Sequence, residues 1–116
     1  MKILDLLKNV SIDVNATCSN KDEAIDTLVS LMAKQGNLND QDVYKQGIYA
    51  REELSTTGIG EGIAIPHAQS EAVNAPGLAA MVVKDGVDYQ SLDNQPAKLF
   101  FMIALPKTGG NEHLQI

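Results

Sequence analysis

The sequence has no tryptophan, one cysteine, two histidines and four prolines in 116 residues, and only 4% of it is aromatic. A single thiol excludes an intrachain disulfide and leaves too few sulfurs for a cysteine-based metal site. Cys18 lies in a hydrophilic stretch and reads as an incidental free thiol. Positive charge is scarce as well: nine Lys and Arg stand against fifteen Asp and Glu, for a formal charge of -6. No basic run exists that could follow a phosphate backbone, so nucleic acid is not an expected partner. No apolar run approaches the ~20 residues that span a bilayer, and the opening MKILDLLKNV lacks the long apolar core and cleavage site of a signal peptide. The expected location is the cytoplasm, with no direct insertion into a membrane.

What is present suffices for one compact core. An apolar content of 44% in a chain of this length points to a single domain over residues 1–116. Ile3 to Leu7 reads as a first turn or short helix, and Val10 to Val14 alternates as a half-buried strand does. Asn20 with Glu23 three residues later predicts a helix start. Ala24, Ile25, Leu28, Leu31 and Met32 then recur at helical spacing until Gly36. Asn39 is the expected cap of a second helix that runs to about Leu54. Gly62 to Ile65 reads as a strand closed by Pro66. Leu78 to Val83 and Leu99 to Leu105 are nearly continuous apolar runs, as strands covered on both faces are, with a short strand at Val87 to Tyr89 between them. This order predicts an α/β fold: a mixed sheet of about five strands sandwiched by helices. Gly110, Asn111 and Glu112 resemble the start of a helix that stops after one turn at Ile116, so the domain is expected to be truncated there.

The chemistry concentrates in GIGEGIAIPHA, Gly58 to Ala68. A Walker loop requires a lysine after its glycines, and none follows these. The dinucleotide fingerprint places glycines after a strand and before a helix, whereas Gly58, Gly60 and Gly62 are spaced G-x-G-x-G between a helix and a strand. These glycines can still expose backbone N–H groups to an anion. His67 is either a satisfied histidine at a strand end or an imidazole presented where a buried strand reaches the surface, beside a backbone stiffened by Pro66. Arg51 falls near the middle of the inward face of the second helix, where it either pairs structurally or holds a phosphate or carboxylate. His113 is the other histidine. A metal site using both histidines would need a third ligand that no spacing supplies, and neither Ser55 nor Ser70 sits in a nucleophile elbow.

Glu52, Ile59, Gly60, Ile63, Ala64, Ile65, Pro66, His67 and Ala68 stand in an order and spacing that resembles the signature of the enzyme IIA domain, fructose and mannitol class, of the bacterial phosphoenolpyruvate-dependent sugar phosphotransferase system. REELSTTGIGEGIAIPHAQSEAV, DGVDYQSLDNQPAKLFFMIA and NEHL look most like fructose-type members, so the resemblance covers essentially the whole chain. Family domains run on for roughly 30 more residues. The resemblance implies that His67 accepts a phosphoryl group from the phosphohistidine of HPr and passes it to a cysteine on a IIB domain during sugar uptake, with fructose the expected sugar. It matches Arg51 and His113 to supporting positions. The hydroxyls of Thr56 and Thr57 and backbone N–H groups at Gly58 and Gly60 are further candidates for the phosphate pocket. The phosphoryl group rides covalently on His67, with no nucleotide, metal or other cofactor. A regulatory IIA that signals through protein binding is the alternative within the family, and a non-catalytic metal-binding module through His67 and His113 is the alternative outside it.

Overall fold

The computed structural model describes residues 10–107. The expected turn at Ile3 to Leu7, the helix start at Gly110 to Glu112 and His113 lie outside them. The elements are β1 (Ser11–Asp13), α1 (Lys21–Ala33), α2 (Gln41–Leu54), β2 (Gly58–Gly60), β3 (Ile63–Ala64), β4 (His67–Ser70), β5 (Gly77–Val87) and β6 (Ala97–Pro106). They form one mixed sheet in the order β1-β5-β6-β3-β2, with β4 also paired to β6. The β5–β6 and β2–β3 pairs are antiparallel, and β1–β5, β3–β6 and β4–β6 are parallel.

Local chemistry sets the helix ends. The Asn20 side chain accepts from the Glu23 N–H at 2.9 Å, and the Glu23 carboxylate accepts from the Ser19 N–H at 2.8 Å. One first-turn donor, and the N–H just ahead of the cap, are thereby satisfied. The second cap differs by one residue from the sequence reading. Asp40, not Asn39, accepts from the N–H groups of Asp42 and Val43. Asn39 instead accepts from the side chain of Asn74, which holds the interhelical loop down.

Both helices lie on the same face of the sheet, and small residues bring them close. Register places Ala68, Ala104 and Gly77 in one row across β4, β6 and β5. A Cβ on Gly77 would come 2.7 Å from Met32 Sδ of α1, and one on Gly47 of α2 would lie 3.4 Å from Ala68 Cβ. Ala79, Met81, Phe100 and Met102 continue that face and are completely buried with Ile25, Leu28, Met32, Tyr44 and Ile48. Each large side chain in this set contributes about 1.5–3 kcal/mol on burial. On the opposite face Leu99, Phe101, Ile103 and Leu105 are only partly buried, and Ile12 is exposed. The sequence reading had β6 covered equally on both sides. Cys18, read as incidental in a hydrophilic stretch, is packed into the core.

β5 is longer than expected. It runs on to Val87, past a register shift and Gly86 (φ 79°), so Val87 ends a long strand and no separate strand forms at Val87 to Tyr89. β3 and β4 are two parts of one lane. Ile63 lies against Leu99 and His67 against Ile103, four residues further in both chains, so the register is unbroken across Ile65 and Pro66. Pro66 cannot donate to the ladder, although its carbonyl still accepts from the Ile103 N–H at 3.1 Å. Six segments therefore occupy five lanes.

Candidate active site

That continuity corrects the placement of His67. It does not follow the end of a strand into a polar loop. It resumes the strand, with Ala68 and Ser70 turned toward α2 and His67 and Gln69 toward the other side. Among the described residues β4 pairs only with β6, which leaves its far edge open. A groove of about 360 Å³ runs along this edge against α2, lined by Gly47, Ala50, Gln69, Ser70 and Lys107 among others. The Tyr44 hydroxyl of α2 donates to the carbonyl of Ile103, the register partner of His67, at 2.9 Å. The helix is thus tied to the sheet at the level of the histidine, and burial pushes the Tyr44 phenol far above its ordinary range.

The imidazole is half-buried, and its Nδ1 lies 2.8 Å from the carbonyl oxygen of Ile65. A carbonyl can only accept, so neutral His67 carries its proton on Nδ1. The lone pair is then on Nε2.

Arg51 is not the centre of the inward face of α2. The buried stripe is Tyr44, Ile48 and Glu52, one turn apart each time. Arg51 flanks it, and its Nη1 donates to the Ser55 carbonyl at 3.0 Å, capping its own helix. A guanidinium has five N–H donors, so this bond leaves others for an anion. Among the described residues no hydrogen bond joins Arg51 to His67.

The glycine segment is firmer than the sequence implies. Gly58–Gly60, read as lying between a helix and a strand, is itself strand β2. A Cβ on Gly58 would come 2.4 Å from Ser91 Oγ, which is why only glycine fits, while Gly60 and Gly62 take φ of 102° and 81°. Three of the proposed phosphate donors here, Thr56, Thr57 and Gly58, are already engaged. Thr56 Oγ1 donates to the Tyr89 carbonyl and accepts from the Gly58 N–H. Thr57 Oγ1 donates to Glu52 Oε2 and its N–H donates to Glu52 Oε1 at 3.1 Å. These hydroxyls and the Gly58 N–H build the loop, and they are not free to face a phosphate in this structure. The sequence reading gave Glu52 no role and passed over Lys21 and Tyr89. Lys21 Nζ lies 3.0 Å from Glu52 Oε1 and 4.5 Å from the centre of the Tyr89 ring. Burial, chiefly, pushes the Tyr89 phenol well above its ordinary value. The available signal was helical spacing, since Glu52 stands four residues beyond Ile48 and eight beyond Tyr44.

Among the described residues no three His, Cys, Asp or Glu side chains gather as a metal site would require, and no helix is long and apolar enough to cross a membrane. What the site defines is a half-buried histidine with one nitrogen held and, among the described residues, no hydrogen-bond partner on the other, on an α/β scaffold. The family model described as "Phosphoenolpyruvate-dependent sugar phosphotransferase system, EIIA 2" matches residues 5–116, and the chain belongs to that family, whose members are phosphotransferase components.

The chain is 50% identical over 115 residues to the fructose-specific EIIABC component of Bacillus subtilis (strain 168), covering 99% of this chain and 18% of that one. It is 42% identical over 98 residues to the fructose-specific EIIA component of Haloferax volcanii, covering 84% and 64%. A nitrogen regulatory protein of Pseudomonas aeruginosa is 31% identical over 103 residues, covering 89% and 67%. The chain therefore spans under a fifth of the first of these relatives and about two thirds of the other two. A solved complex of enzyme IIAMTL with phosphorylated enzyme IIBMTL from Escherichia coli matches with a TM-score of 0.73 at 25% identity, covering 85% of this chain and 69% of that one.

Proposed function

We propose that this domain is a phosphoryl carrier for sugar uptake, fructose being the favoured sugar, and that His67 is its phosphorylated residue. The observation that carries this is the Nδ1 contact with the Ile65 carbonyl, which leaves the Nε2 lone pair as the nucleophile. Nε2 attacks the phosphorus of phospho-HPr; the new N–P bond forms as the donor's N–P bond breaks, and the donor imidazole leaves with the electron pair. The IIB cysteine thiolate then attacks the same phosphorus, and Nε2 regains its lone pair. The Nδ1 proton stays on the Ile65 carbonyl side throughout, so the positive charge that develops on the ring is partly held by that acceptor. The free N–H groups of Arg51 are suited to the equatorial oxygens. His113 is proposed for the same task on the family resemblance alone. The fructose-specific relatives support the choice of sugar, and the solved IIA–IIB pair supports the acceptor. The carrier works in the cytoplasm, and the phosphoryl group itself is all that it has to hold.

The test is to mix the protein with phosphoenolpyruvate, enzyme I and HPr and to measure intact mass. One acid-labile phosphoryl group is expected, with none on His67→Ala. Equal labelling of His67→Ala, or none on the wild type, sinks the reading. The nitrogen regulatory relative favours a second reading, in which the same histidine carries the group as a signal. Adding a fructose-type IIB separates the two, because transport predicts rapid discharge to IIB and signalling predicts retention.

A further inference from the structure

A continuous run of hydrogen bonds leads from the buried Glu52 to the imidazole of His67. The Glu52 side chain is 5% exposed, and both of its oxygens are occupied, Oε1 by Lys21 Nζ and the Thr57 N–H and Oε2 by the Thr57 hydroxyl. Thr57 is therefore gripped at backbone and side chain by one carboxylate. Its carbonyl accepts from the Ile65 N–H at 3.0 Å. The Ile65 carbonyl in turn takes His67 Nδ1 at 2.8 Å. Only two residues, Thr57 and Ile65, separate the ion pair from the ring.

Ile65 is the part of this path most in need of an anchor. It lies in the gap between β3 and β4, where Pro66 offers no N–H to the sheet, and its own N–H points away from β6 to Thr57. Ile65, whose carbonyl is the acceptor for His67, is thus held at its own N–H by Thr57, and Thr57 is held by Glu52. Lys21 holds the carboxylate in place from the first residue of α1, with its ammonium over Tyr89.

We infer that Glu52 is a positioning residue for His67: through Thr57 and Ile65 it fixes the carbonyl that selects the Nδ1–H tautomer and so keeps the lone pair on Nε2. The functional meaning of this rests on the phosphoryl-transfer reading. The tautomer itself does not, and is measured without any phosphodonor. A carboxylate that merely stabilised the corner would lower stability when replaced and leave the ring's tautomer alone.

The experiment uses the full chain with 15N-labelled histidine at alkaline pH, His67 being assigned by its loss in His67→Ala. The wild type is expected to show one nitrogen protonated and one bare, the pattern of a single Nδ1–H tautomer. Glu52→Ala moves both nitrogens toward the averaged values of a mixture, and Glu52→Gln, whose amide oxygen still accepts the Thr57 N–H, returns most of the wild-type pattern. A folded Glu52→Ala with the wild-type tautomer overturns the proposal. If Glu52→Ala does not fold, Thr57→Val decides, since it removes the hydroxyl grip and keeps the shape. The expectation is partial mixing together with faster exchange of the Ile65 amide, and a wild-type tautomer there overturns the proposal as well. In the labelling assay Glu52→Ala slows uptake by about tenfold or more at unchanged KM for the donor, the scale seen when a partner fixing a histidine's second nitrogen is lost. A tautomer that follows Glu52 in a protein that never labels would remove the phosphoryl reading and leave this one standing. Labelling with a tautomer indifferent to Glu52 would do the reverse.

Discussion

The corner around Glu52 and the edge around His67 are a short distance apart along the same strands, and they are built in opposite ways. At the corner an ion pair, a threonine held twice and a buried tyrosine leave no carboxylate oxygen without a partner. At the edge one nitrogen of the imidazole is held and, among the described residues, the strand that carries it pairs on one side only. Buried polar groups cost stability unless satisfied, and a reacting nitrogen must not be satisfied. The difference teaches that stability and reactivity are assigned to different residues, joined by a few backbone hydrogen bonds.

The comparison breaks most visibly at Lys21. Lys21→Met keeps the stem over Tyr89 but leaves a buried carboxylate without its cation. A loss of about 3 kcal/mol is expected in chemical denaturation, the low end for a broken buried pair because the Lys21 side chain retains 17% exposure. A loss below about 1 kcal/mol would show that the corner is solvated in solution. Gly58→Ala comes next. Its Cβ would overlap Ser91 Oγ at 2.4 Å and crowd Ser91 Cα at 2.9 Å, so about 2 kcal/mol of overpacking is expected by the same measurement. A neutral outcome would mean that the loop bearing Ser91 is free to move away.

His67→Ala sharpens the contrast from the other side. Removing the ring deletes one hydrogen bond to Ile65, for about 1 kcal/mol or less, while labelling is abolished. A loss of stability comparable to that of Lys21→Met would make His67 a structural residue and blur the division. Arg51→Lys should fold normally and transfer more slowly, because an ammonium lacks the bidentate fork. Unchanged transfer would confine Arg51 to capping its helix at Ser55.

Much of this was legible from spacing alone. The apolar periodicity of α1, its Asn20 cap, and the runs that became β5 and β6 follow from local sequence, because core-facing repeats report burial directly. The single-residue error at Asp40 arose because Asn39 and Asp40 are both good caps, and only the tertiary contact of Asn39 with Asn74 decides between them. His67 was singled out as a residue of interest, yet its strand was missed. HAQS has no apolar alternation, and the partner that makes it a strand, β6, lies 36 residues downstream. The Thr56 and Thr57 hydroxyls were candidates for a phosphate pocket because nothing local shows that Glu52 and Tyr89 engage them. Glu52 itself was hidden by its charge, which argues for the surface until Lys21 and Thr57 are placed around it.

The smallest expected effect lies between the two regions, at the turn of Gly60 and Glu61. Asp93 Oδ2 accepts from the Glu61 N–H at 2.9 Å and Oδ1 from the Gln95 N–H at 3.1 Å. These backbone donors, Glu61 first, hold its carboxyl below the ordinary value of 3.8. A depressed folded pKa means that the tether is fully present above the ordinary carboxylate range and is lost as pH falls through the lower folded value. The Glu61 and Gln95 amide shifts should therefore titrate together with a midpoint below 3.8, and Asp93→Asn should abolish that titration while labelling of His67 proceeds as before. The side chain is fully exposed, so global stability should barely respond. A midpoint at or above the ordinary value would show that the tether does not form in solution. A fall in labelling on Asp93→Asn would extend the rigid corner across the turn, and the line drawn between scaffold and reacting edge would then have to move to include Glu61.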